Sequence, residues 1–113
     1  MIPFLIDFEK KSLKVGDKKL DFDFPLYQII FYNNIFCILF NPGSDNKNWG
    51  QFHNLCGFDI EGKMIWRTEL PDNLSGCFYR INLEEDKLHA YISTYDCLID
   101  PATGEVTSLQ FFK

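Results

Sequence analysis

The stretch Cys56-Gly57-Phe58-Asp59-Ile60-Glu61-Gly62-Lys63-Met64-Ile65-Trp66 reads as a strand, a tight turn closed by Gly62, and a second strand. Asp serves such a turn by accepting backbone N–H bonds, and Gly supplies the left-handed backbone that closes it. The pattern returns as Cys97-Leu98-Ile99-Asp100-Pro101-Ala102-Thr103-Gly104-Glu105-Val106, and a shorter copy, Phe4-Leu5-Ile6-Asp7, stands at the front. Three apolar strands ending in Asp within 113 residues point to an internal repeat.

Laying the chain on itself extends the repeat. At an offset of 52, Tyr27-Gln28-Ile29 falls on Tyr79-Arg80-Ile81, Asn33-Asn34 on Glu85-Asp86, and 35–40 on 87–92 without a gap. The same offset puts Phe4 on Cys56 and Asp7 on Asp59. Beyond the polar stretch 41–53 the offset drops to 41, and Cys56 and Asp59 fall on Cys97 and Asp100. The difference, eleven residues, is the extra length of 41–53. Each unit then holds four strands in about 40 residues, the size of a propeller blade.

The remaining segments fit this frame. Residues 3–8 read as a strand and 10–19 as a basic, polar stretch with a turn at Gly16-Asp17. Leu20-Asp21-Phe22-Asp23-Phe24 alternates strictly, which predicts a strand wet on one face. Residues 26–32 and 35–40 do not alternate, so both faces are expected to be covered, and Asn33-Asn34 suits a two-residue hairpin turn. Residues 77–83 and 87–93 make a matching hairpin over Glu84-Glu85-Asp86, and 96–100 and 105–112 complete the series. No helix-period pattern or capped helix start occurs. The expectation is one all-β domain over 1–113 with about ten antiparallel strands in meander order. Two four-stranded units, about 26–70 and 77–112, follow a partial N-terminal one, packed as an incomplete propeller, a sandwich or a barrel.

Asp59-Ile60-Glu61-Gly62-Lys63 with Trp66, and Asp100-Pro101-Ala102-Thr103-Gly104-Glu105, resemble the blade repeats of β-propellers of the quinoprotein-like type. The resemblance implies propeller-type strand order. Two and a fraction blades do not close a ring, the Gly-His and Trp-Asp marks of one large propeller class are absent, and no cofactor or binding site carries over.

The net charge of −5 is uneven. Residues 1–68 carry eight acids and eight Lys or Arg; residues 69–113 carry eight acids against Arg80, Lys87 and Lys113. An acidic half repels phosphates, so neither nucleic acid nor an anionic membrane is the expected partner, and a basic protein is. Residues 1–8 are too short and lack the basic start of a signal peptide, and no apolar run approaches the roughly 20 residues of a membrane span. The expected location is the cytoplasm, with reduced thiols. Cys37, Cys56, Cys77 and Cys97 lie about twenty residues apart without a CxxC, so they read as small core hydrophobes and not as metal ligands.

Catalytic motifs are missing: no Gly-rich phosphate loop, GxSxG or HExxH, and no carboxylate pair placed as in a glycosidase. His89 points opposite to Leu88 and Ala90 and reads as a partly exposed strand residue. The expected function is therefore non-enzymatic protein binding without a cofactor. By overall type the chain resembles the small acidic immunity proteins of bacterial toxin systems, which implies a basic toxin domain, such as a nuclease, as partner. The candidate contacts are the acidic tip Glu84, Glu85 and Asp86, and Trp49, Phe52 and His53 in the longer loop. Loops that exceed their repeat counterpart are where such scaffolds place binding, and a Trp anchor buries a large area. The alternatives are a small ligand-binding or enzymatic β protein with a pocket near His53, and a structural subunit.

Overall fold

In the computed structural model, which describes residues 4–7, 11–22, 24–40, 54–70 and 77–111, eleven strands form three antiparallel sheets. The first holds β1 (Phe4–Asp7), β2 (Ser12–Val15) and β3 (Lys18–Asp21). The second holds β4 (Leu26–Tyr32), β5 (Ile35–Phe40), β6 (Leu55–Phe58) and β7 (Met64–Arg67). The third holds β8 (Arg80–Glu84), β9 (Lys87–Ile92), β10 (Tyr95–Ile99) and β11 (Val106–Phe111). Each sheet is a meander, and no helix occurs among the described residues.

Turn chemistry sets the hairpins. Asn33 (φ 51) and Asn34 (φ 62) both take the left-handed backbone that a type I′ turn demands, and Glu85 (φ 52) and Asp86 (φ 62) repeat it. Asp59 Oδ1 accepts from the N–H groups of Glu61 and Lys63 at 2.9 Å each, and Asp100 Oδ1 from Ala102 N–H at 2.9 Å. Gly62 (φ 91) and Gly104 (φ 77) close those two turns. Each hairpin carries a bulge at the equivalent place, between Gly57 and Phe58 and between Leu98 and Ile99.

The sheets stack in chain order, and β5 shows why. Its residues are buried on both faces, as the unbroken apolar run predicts. Phe36, Ile38 and Phe40 join Cys56 and Phe58 in a core shared with Leu13 and Leu20 of the first sheet. Cys37 and Leu39 join Leu55 and Trp66 in a core shared with Ile81, Leu88, Ala90, Ile92, Cys97 and Ile99 of the third. The second sheet is thus the middle layer, and in both four-stranded units the corresponding face packs on the preceding sheet.

Specific contacts lock each layer to the next. A Cβ on Gly62 would stand 2.8 Å from Leu20 in the first sheet, so the turn of the second sheet rests on that side chain. One layer on, Gly104 rests on Trp66, where a Cβ would come within 2.4 Å of the indole, and Gly57 clears the other side of the ring. The Gln28 side chain in β4 accepts from Ile81 N–H at 2.7 Å and donates to Ile81 C=O at 3.3 Å, joining the first strands of the two units. Asn54, 1% exposed, donates to the carbonyls of Phe40 (3.0 Å) and Phe78 (2.9 Å) and accepts from Phe78 N–H (3.0 Å). Buried polar groups so satisfied fix one arrangement of the backbone.

Two expectations change. Residues 11–19 are not a polar connection but hold β2 and the start of β3, hairpinned about Gly16 (φ 60), with Leu13 opposite Leu20 and the lysines outward. Four-residue strands offer too few apolar positions for their alternation to stand out. The strand expected at 20–24 ends at Asp21, although Leu20, Phe22 and Phe24 do share one core. The sheets stay separate and do not close into a barrel.

Candidate protein interface on the third sheet

Strand parity places two sets of side chains on the third sheet. Ile81, Leu88, Ala90, Ile92, Cys97 and Ile99 face the middle layer. Arg80, Asn82, His89, Tyr91, Asp96 and Leu98 alternate with them and face outward. At the equivalent positions the middle sheet carries Gln28, Ile30, Cys37, Leu39, Leu55 and Gly57, most of them core residues. The repeat therefore keeps one face apolar in both units and converts the other from core-forming to polar in the second.

The outward residues form a connected cluster. His89 Nδ1 lies 2.9 and 3.1 Å from the two carboxylate oxygens of Asp96, both side chains about one-fifth exposed (18% and 21%). The His89 ring runs nearly parallel to that of Tyr91 (centroids 6.3 Å apart, 13° between planes), and the Arg80 guanidinium lies 5.6 Å above Tyr91 on its cross-strand partner. With Nδ1–H donated to Asp96, the other ring nitrogen of a neutral His89 is an acceptor; in the protonated ring it is a donor. The cluster thus offers an aromatic surface, a fixed imidazole, a cation and an anion within a few strands, the residue types that anchor protein interfaces.

The acidic tip borders this face. Glu84, Glu85 and Asp86 are all exposed, Glu84 sits opposite Lys87, and the two central residues adopt the left-handed backbone that Asn or Gly takes most easily. The middle sheet meets the same geometry with Asn33-Asn34. Trp49, Phe52 and His53 lie outside the described residues. Asp59 and Asp100 serve their turns as expected. Cys37, Cys56 and Cys97 are fully buried core members, Cys77 is half-buried, and none of the four is in a disulfide. Burial pushes Cys37 up to about 12 from an ordinary 9.0, and Cys97 to about 11 with help from the Asp96 charge. Burial takes Cys56 to about 11 against the opposing pull of Arg67.

Among the described residues, grooves open between the layers. One of about 380 Å³ runs between Arg67, Glu69 and Leu70 and the turn Thr103–Val106; one of about 170 Å³ is lined by Phe22, Phe24, Phe40 and Phe58 together with Asp21 and Arg67. Among the described residues no group of three or more His, Cys, Asp or Glu could hold a metal ion. No helix among them is long and apolar enough to cross a membrane.

Arg80, Tyr91 and Asp96 were not singled out by motif, and His89 only as partly exposed. The signal that finds them lies in the repeat: at the stated offsets Leu39 becomes Tyr91, Cys37 becomes His89 and Leu55 becomes Asp96. These features define a layered all-β protein with one polar, aromatic-bearing sheet face. The chain belongs to the family described as Domain of unknown function (DUF7957), whose profile matches residues 4–111. No curated protein and no solved structure matches it.

Proposed function

We propose that this chain is a non-enzymatic protein-binding module that covers a basic partner, in the manner of an immunity protein neutralising a cationic nuclease toxin. The observation that carries the reading is the outward face of the third sheet. There the repeat trades the core residues Cys37, Leu39 and Leu55 for His89, Tyr91 and Asp96, with Arg80 alongside, next to an acidic tip whose two central residues, Glu85 and Asp86, take a left-handed backbone. In this reading Glu84, Glu85 and Asp86 steer the encounter, and Tyr91 with its neighbours supplies the central contact. The net charge of −5, concentrated in residues 69–113, supports a basic partner. The propeller-type reading belongs here too: first strand lies beside first strand in successive layers, and the polar third sheet acts as a capping unit. Four cysteines outside any disulfide suit the cytoplasm.

The test is association kinetics with any cationic toxin domain that a neighbouring gene proves to encode. Charge reversal at Glu84, Glu85 and Asp86 should slow association about tenfold and flatten its salt dependence, whereas Tyr91→Ala should chiefly speed dissociation. An association rate indifferent to salt and to the reversal, with dissociation untouched by Tyr91→Ala, sinks the proposal.

A further inference from the structure

The outward sheet edges are not guarded alike. β3 carries Lys18, Lys19 and Asp21. β7 has only four residues, is bulged at Ile65 in its middle and ends in Arg67, between Lys63 and Glu69. β11 is six residues, Val106-Thr107-Ser108-Leu109-Gln110-Phe111, with no charge and no proline, and its own bulge, at Thr107, leaves 108–111 regular. It pairs with β10 on one side, in regular register from Tyr95 opposite Phe111 to Leu98 opposite Ser108, and is the terminal strand of its sheet on the other. Leu109 is 37% exposed and Phe111 64%, although both point to the side of the sheet that holds the core. Natural sheets blunt such edges with charge, proline or a bulge along the strand, because a bare row of N–H and C=O groups recruits another strand.

We propose that β11 pairs with β11 of a second copy, antiparallel across a two-fold axis, joining two third sheets into one of eight strands. The neutral composition selects the second copy. In a chain of net charge −5 with its excess acid in residues 69–113, β11 is a stretch where two copies meet without like charges opposed. With Gln110 on the axis, Leu109 of each copy lies opposite Phe111 of the other. The period of two keeps all four apolar side chains on one face, where each covers its neighbour. The axis is perpendicular to the sheet, so both polar faces bearing Arg80, His89 and Tyr91 point the same way. The dimer then offers two equivalent binding surfaces side by side.

Sedimentation equilibrium of the full chain across the micromolar range tests this. A concentration-dependent monomer–dimer equilibrium is expected, weakened at least about tenfold by Leu109→Lys and by Phe111→Lys. A peptide of sequence 106–111 should dissociate the dimer. Both side chains lie outside the closed core, and circular dichroism checks that the variants fold. Hydrogen exchange on the unaltered protein gives an independent reading: the alternate amides of β11 that point away from β10 should slow as concentration rises. A monomer at every concentration, a dimer indifferent to both lysines, or exchange independent of concentration overturns the proposal.

Discussion

The Trp66 indole N–H donates to the carbonyl of Pro101 at 2.7 Å, tying the middle sheet to a turn of the third. Its ring is held between Gly57 and Gly104, at neither of which a side chain fits. The contact is the larger counterpart of Gly62 against Leu20 one layer earlier, so the same joint is used twice with side chains of different size.

Gly104→Ala should destabilise the protein by about 2–4 kcal/mol. A Cβ 2.4 Å from the indole overpacks the joint, and the positive φ of 77° adds the strain of a left-handed alanine. Urea melts monitored by Trp fluorescence check this; a loss under about 0.5 kcal/mol would mean that the layers are not coupled through Trp66.

Asn54→Asp should cost on the order of 3 kcal/mol at neutral pH. Two carbonyls, those of Phe40 and Phe78, then face a buried carboxylate instead of an amide donor. Because the substituted carboxyl would have its pKa raised by burial, part of the loss should return on mild acidification, and chemical melts at two pH values read the difference.

Replacing Glu85-Asp86 by Asn-Gly should stabilise the fold by about 1 kcal/mol, since those residues take the type I′ backbone at less cost. The same variant should slow association with a basic partner. Gain in one measurement and loss in the other is the outcome expected of a tip shaped for binding.

Alkaline pH should weaken the fold. In the unfolded chain the thiols ionise near 9.0, while in the folded chain Cys37 holds its proton to about 12 and Cys56 and Cys97 to about 11. The folded state therefore binds more protons in that window. The contribution is fully present below pH 9 and is lost as pH rises through the folded values. Denaturant midpoints below and above pH 9 should show the fall, and Cys37→Ala should make it shallower.

Both four-stranded sheets were legible in the sequence, because the hairpin at Cys56–Trp66 recurs at 97–106 and the offsets of 52 and 41 align every strand of one with a strand of the other. The β2–β3 hairpin was not, since Leu13, Val15 and Leu20 are spaced among lysines in strands too short to show a period. Asn54 gives no local sign of its role, which depends on Phe78 approaching from 24 residues away. The polar face was present in the repeat alignment but emerges only when paired positions are compared for polarity. Its connections are cross-strand: His89 reaches Asp96 diagonally on the neighbouring strand.

The two-sided burial of β5 leaves the middle sheet without the usual guard against misalignment. In most strands a one-residue slip turns apolar side chains out to water and is rejected for that reason. Here a slip would merely exchange Phe36, Ile38 and Phe40 for Cys37 and Leu39, one oily surface for another with smaller groups. Polarity is blind to that error, and only volume and turn geometry detect it. The pairing of β4 with β5 thus depends on Asn33 and Asn34, whose left-handed pair sets the count of residues on either side. The most hydrophobic sheet of the molecule is kept in step by two of its most polar residues.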